Sequence, residues 1–161
     1  MWKSVQTGNH NNIKALLTPD LPVDTPLTEG GMTGLHIAWS RGDLDAAEIF
    51  LDAGADIAAT DKLGRTALHF AASIGTNLEL IELLVNKGAK ANAQSTGGET
   101  PLMKAIAFDN ADAVKLLLEQ GADPEIENSM SRNSYSFAKA SKNPEILAAL
   151  GIDSEGDAQM G

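Results

Sequence analysis

The sequence predicts an all-α solenoid, a stack of short antiparallel helix pairs with hairpin-like loops between them. Three observations carry this expectation. An octet recurs: Gly64-Arg65-Thr66-Ala67-Leu68-His69-Phe70-Ala71 follows Gly31-Met32-Thr33-Gly34-Leu35-His36-Ile37-Ala38 by 33 residues and precedes Gly98-Glu99-Thr100-Pro101-Leu102-Met103-Lys104-Ala105 by 34, with a degraded copy in phase at Ser131–Ala138. A fixed period of about 20–50 residues marks stacked units that cannot bury their apolar faces alone. Each octet is followed by an apolar series at helical spacing. The chain is 43% hydrophobic but only 4% aromatic over 161 residues, so Leu, Ile, Val and Ala must fill the core, which suits close helix packing.

In chain order, residues 1–17 read as a helix pair shortened at its front, with Asn9, His10, Asn11 and Asn12 as a polar start to its second helix and Trp2 capping the open end. Residues 18–30 hold Pro19, Pro22 and Pro26 and read as an extended connector, because proline fixes φ and lacks a donor. In the next unit Thr33 caps a helix through Ser40. Gly42 breaks it, and a second helix over 43–53 puts Leu44, Ala47 and Leu51 on one face before Gly54 ends it. The third unit repeats the plan with His69 to Ala72, a break at Gly75 followed by an extra residue at Thr76-Asn77, a stripe of Leu78, Ile81 and Val85, and Gly88. In the fourth, Ala105, Ile106 and Phe108 occupy the short helix, Asp109-Asn110 replaces the breaking glycine, and Ala113, Val114, Leu117 and Leu118 precede Gly121. The last pair has a short helix over 136–141, then Pro144 in a first turn and Ile146, Leu147 and Leu150 facing inward. Repeats near 1–30, 31–63, 64–97, 98–130 and 131–150 make one domain over 1–150. The small, acidic stretch 151–161 reads as a flexible tail.

These units resemble ankyrin repeats. The matching residues are Gly64, Thr66, Leu68, His69, Ala71, Gly75, Leu83-Leu84 and Gly88-Ala89 in one unit. Thr33, Leu35, His36, Ala38, Gly42 and Gly54-Ala55-Asp56 match in the unit before, and Thr100, Pro101, Leu102, Ala105 and Gly121-Ala122-Asp123 in the unit after. The tetrapeptide proline appears only at Pro101, and Met103 and Ser136 replace its histidine. The resemblance implies a scaffold whose hairpin tips and exposed first-helix sides line a concave groove that binds a partner protein. Carried over position by position, the partner-binding candidates are Met32, Arg41, Lys62, Leu63, Arg65, Ile74, Glu99, Phe108, Met130 and Arg132. All three arginines of the chain fall in that set, and Arg and large apolar side chains are the usual interface anchors.

Catalytic readings fare less well. His36 and His69 recur at the same repeat position, which marks scaffold: each is expected to bond a nearby hydroxyl, Thr33 or Thr66, and backbone groups. His10 is expected at the surface. The 22 Asp and Glu residues show no metal-ligand spacing and there are no cysteines. No phosphate-cradling glycine loop and no serine elbow occur; Gly30-Gly31 and Gly97-Gly98 suit turns with positive φ. No catalytic residue, metal or cofactor is therefore expected. A net charge of −10 disfavours nucleic acid and anionic membranes. No apolar run or signal core directs the chain to a membrane, so a cytoplasmic monomer is expected. The leading function is a protein-interaction scaffold acting as an inhibitor or regulator. The alternatives are a bacterial immunity or effector-associated protein and, last, a hydrolase using groove histidines and carboxylates. Trp39, where the next repeat has Ala72, is expected in the core, with the connector 18–30 making room.

Overall fold

The structure, a computed structural model, describes residues 3–4, 7–18, 20–73 and 78–152. Trp2, Pro19, the break at Gly75 with Thr76-Asn77, and residues 153–161 of the tail lie outside the described residues. Helix α1 is His10–Leu16, α2 Gly34–Ser40, α3 Leu44–Asp52, α4 Ala67–Ser73, α5 Leu78–Asn86, α6 Pro101–Ala107, α7 Ala111–Glu119, α8 Ser134–Ser141 and α9 Pro144–Ala149. No β-strand occurs among the described residues.

The helix ends follow from local chemistry. Asn9, Asp43, Asn110 and Asn143 are N-caps, and each accepts the N–H three residues on. That satisfies a donor the helix cannot. The residue before each cap reverses the chain with positive φ: Gly8, Gly42, Asp109 and Lys142. Pro144 opens α9 at its first turn. The last short helix begins two residues earlier than its spacing suggests, because Asn133 accepts the Ser136 N–H and caps it in place of a threonine.

Two layers result. The inner helices pack in sequence, α2 on α4, α4 on α6 and α6 on α8, while the outer helices α3, α5, α7 and α9 each lie against their own inner partner. In the outer layer α1 rests on α3, α5 on α7 and α7 on α9. The core runs the length of the stack between the layers, from Ile13 through Leu35, Leu68, Leu102 and Leu117 to Ile146. Trp39 is wholly buried, as expected, and Val23 and Leu27 of the connector pack half-buried on the same core.

Two outer stripes are shifted from their expected positions. In α3 the buried residues are Ala46, Ala47 and Phe50, with Leu44 and Leu51 only half-buried; in α5 they are Leu80, Ile81 and Leu84, and Leu78 is exposed. Both helices carry two overlapping apolar series at helical spacing, and contact with the inner helix selects one. In α7 the buried residues are Ala113, Val114, Leu116 and Leu117, and Leu118 is half-buried.

The loops between units stack tip on tip. The Lys62 N–H donates to the Gly30 carbonyl at 2.8 Å, Thr96 to Leu63 at 2.9 Å and Ser129 to Gly97 at 3.0 Å. This contact explains the leading glycines. A Cβ on Gly64 would meet the Thr96 nitrogen at 2.8 Å, and one on Gly98 the Asn128 Cα at 2.9 Å, and both residues have positive φ. Ser131 holds the equivalent place with φ 52. No further tip among the described residues lies over it, so a side chain is accommodated there.

Candidate partner-binding face

Each hairpin is closed by one side chain at a fixed place. Asp61 Oδ1 accepts the Leu63 and Arg65 N–H groups, both at 2.9 Å, and Asn128 Oδ1 accepts those of Met130 and Arg132. Ser95 Oγ accepts the Glu99 N–H. Asp61 adds charge: its other oxygen takes Arg65 Nε at 2.8 Å and Nη2 at 2.7 Å, and its side chain is 1% exposed. Burial pushes the Asp61 carboxyl up, but the Arg65 guanidinium and the two N–H donors outweigh it and hold it below the ordinary 3.8.

Five residues after each tip position lies its partner on the inner helix. The Arg65 guanidinium lies 4.6 Å over the Phe70 ring, and Arg132 lies 5.0 Å over Phe137. Between them Glu99 pairs with Lys104 instead. Phe70, Lys104 and Phe137 were not among the sequence candidates, although the Arg-to-Phe spacing of five recurs at 65/70 and 132/137.

The candidates divide by what holds them. Leu63, Phe108 and Met130 are 57%, 62% and 64% exposed. Arg41, Lys62 and Arg132 are also exposed. Arg65 and Glu99 are half-buried and engaged within the chain. Met32 is half-buried and packs on the core, so the exposure expected for it is not found. It lacks the charged head that keeps Arg132 at the surface. Ile74 lies outside the described residues. Leu63, Lys62, Met130 and Arg132 gather on the stacked tips. Arg41 and Phe108 are C-caps of α2 and α6, at the other end of the inner helices.

The histidines have the scaffold geometry expected of them. His36 Nδ1 accepts the Thr33 N–H at 3.1 Å and lies 2.9 Å from its hydroxyl; His69 Nδ1 makes the same contacts with Thr66. A ring nitrogen facing an N–H carries no proton, so the proton is on Nε2. From there His36 donates to the Ala59 and Arg65 carbonyls and His69 to Glu99. Burial pushes both imidazoles below the ordinary 6.5, against the opposing pull of those carbonyls. Each ring thus ties an inner helix to the next hairpin.

His10 departs from expectation. It is half-buried, and its Nε2 donates to Asp43 at 2.9 Å, tying α1 to the cap of α3. An open hollow of about 530 Å³ on the outer layer is lined by His10, Lys14, Asp45, Glu48 and Asp52, among others. Among the described residues no group of three or more His, Cys, Asp or Glu is placed to hold a metal ion. No helix among them is long and apolar enough to cross a membrane.

Comparison with known proteins agrees with this architecture. Residues 35–128 match the family described as ankyrin repeats, in three copies. The chain is 38% identical over 118 residues to the probable 26S proteasome regulatory subunit p28 of Saccharomyces cerevisiae, across 70% of this chain and 50% of that protein. It is 33% identical over 118 residues to a B-cell lymphoma 3 protein homolog of Mus musculus, across 73% of this chain and 26% of that one. Over 95 residues it is 38% identical to the E3 ubiquitin-protein ligase KEG of Arabidopsis thaliana, across 58% of this chain but 6% of the ligase. The chain therefore spans half or less of the length of these relatives. With the octet period, the two-layer stack, the paired Thr–His ties and a family match over more than half of its length all in agreement, the chain belongs to the ankyrin-repeat family.

Proposed function

We propose that this chain is a non-catalytic protein-binding scaffold, and that its partner docks on the face made by the hairpin tips and the inner helices. One observation carries the reading: Leu63, Met130 and Phe108 are exposed on a framework whose tips are tied to one another by backbone hydrogen bonds. Apolar side chains held on an ordered backbone and flanked by polar ones are what protein interfaces use, since little backbone ordering entropy is lost on binding. Both histidines are committed to the framework, which removes the strongest candidates for catalysis. Among the relatives, the yeast p28 is named as a regulatory subunit, which favours a regulatory role for a scaffold of this kind.

The test is affinity capture from native lysate with the intact chain and with a Leu63→Ala/Phe108→Ala/Met130→Ala variant. All three side chains are exposed, so the fold should survive, which an unfolding curve verifies. Loss of the captured protein with the variant is the expected result. Undiminished capture of the same protein by the variant would overturn the assignment of this face.

A further inference from the structure

The tips and inner helices occupy residues 29–42, 61–73, 95–109 and 128–142. These segments carry seven of the chain's 12 Lys and Arg residues but four of its 22 Asp and Glu, a net charge of +3; the remainder of the chain carries −13. Two of those four carboxylates are neutralised on the spot, Asp61 by Arg65 and Glu99 by Lys104. Arg41, Lys62 and Arg132 are exposed and have no carboxylate at ion-pair distance among the described residues. Positive charge thus exceeds negative on the one face that also exposes Leu63, Met130 and Phe108, in a chain that is acidic elsewhere.

We propose that the segment bound by this face is an acidic peptide stretch of a partner protein, with apolar residues interspersed among its Asp and Glu. This rests on the reading of the face as a protein-binding surface and adds the chemistry of what it takes. Screening limits charge interactions to about 8 Å at physiological salt, so an acidic segment at the tips meets the local positive field rather than the −10 of the whole chain. The same distribution turns basic partners towards the outer layer and away from the groove, which gives specificity by repulsion. A nucleic acid fits less well, because a long polyanion would overrun the face into the acidic remainder and would leave the three apolar side chains unmatched.

The experiment is selection of a random-peptide display library on the intact chain, followed by fluorescence anisotropy with each selected peptide. The expected peptides are enriched in Asp and Glu with interspersed apolar residues. Their affinity should fall at least about ten-fold, close to 1.4 kcal/mol, in Lys62→Glu/Arg132→Glu, and remain unchanged in an outer-layer control, Glu82→Lys. Neutral or basic peptides that lose binding in Leu63→Ala/Met130→Ala would overturn the acidic assignment and leave the face itself standing. Peptides indifferent to every face variant, or no binder at all, would overturn the face as well. Displacement of the acidic peptides by a single-stranded thymidine oligonucleotide at equal affinity would reassign the cations to phosphate.

Discussion

His69→Ala separates a scaffold histidine from a catalytic one. The ring is 2% exposed and makes two unlike contacts. Its removal leaves the buried Thr66 N–H without its acceptor, at about 1–3 kcal/mol. The Glu99 carbonyl suffers less, because the Ser95 N–H also donates to it at 2.9 Å; losing the second bond costs about 1 kcal/mol. The vacated volume adds about 1–2 kcal/mol. A total near 3–6 kcal/mol is a large share of the 5–15 kcal/mol typical of a domain, about two to four decades in the unfolding equilibrium. Urea unfolding followed by circular dichroism measures it. His69→Met adopts the solution found at Met103, which is itself buried. It keeps the volume and should lose only the hydrogen bonds, about 2–4 kcal/mol. The pH dependence is a second reading. The folded protein holds both imidazoles below 6.5, so the unfolded chain takes up protons first as pH falls. The stabilisation is complete above the unfolded value and is lost as pH falls below it, by at most about 1.4 kcal/mol per histidine at one unit below 6.5. His69→Met should reduce that slope. If both variants unfolded within about 0.5 kcal/mol of the parent, a range normal for surface changes, the tie between inner helix and hairpin would not be what the histidine supplies.

Gly34 and Phe50 form a size-matched pair. A Cβ on Gly34 would overlap the wholly buried Phe50 ring, whereas other repeats combine Ala67 with Leu84 and Pro101 with Leu117. Gly34→Ala should destabilise by about 1–3 kcal/mol, and most of that cost should vanish in a Phe50→Leu background; a thermal or urea double-mutant cycle with no coupling would refute the pairing. At the second hairpin, Asp61→Ala removes the acceptor of two N–H groups and the partner of a guanidinium that is itself one-third exposed, and should lose about 2–4 kcal/mol, mostly through the unsatisfied N–H groups. Asp61→Asn, which imitates Asn128, keeps the backbone bonds and should lose less than half as much. Equal losses in unfolding experiments would mean that the turn bonds contribute little.

The repeat was readable from the chain because the stack has to satisfy the same contacts once per unit. Gly64, Thr66, Leu68, His69 and Ala71 recur because the tip-on-tip approach, the capped helix start and the histidine tie recur, and each accepts few residue types. Thr33 and Pro144 could likewise be placed at helix starts, since capping and proline geometry act over three or four residues. Tertiary structure decided whatever depends on a neighbour one repeat away or on choosing between near-equal local options. It selected Ala46 and Phe50 over Leu44 and Leu51 as the buried side of α3, paired Gly34 with Phe50, and laid Met32 half-buried against the core. It also divided the arginines. In sequence Arg65 and Arg132 are equivalent, five residues ahead of a phenylalanine and four after a turn residue. In space Asp61 captures the first as an ion pair, while Asn128, with no charge to offer, leaves the second facing outward. The sequence alone therefore determines the scaffold, whose contacts repeat. The charge presented to a partner is a sum over residues far apart in the chain, and it takes shape only when the stack brings them to one face.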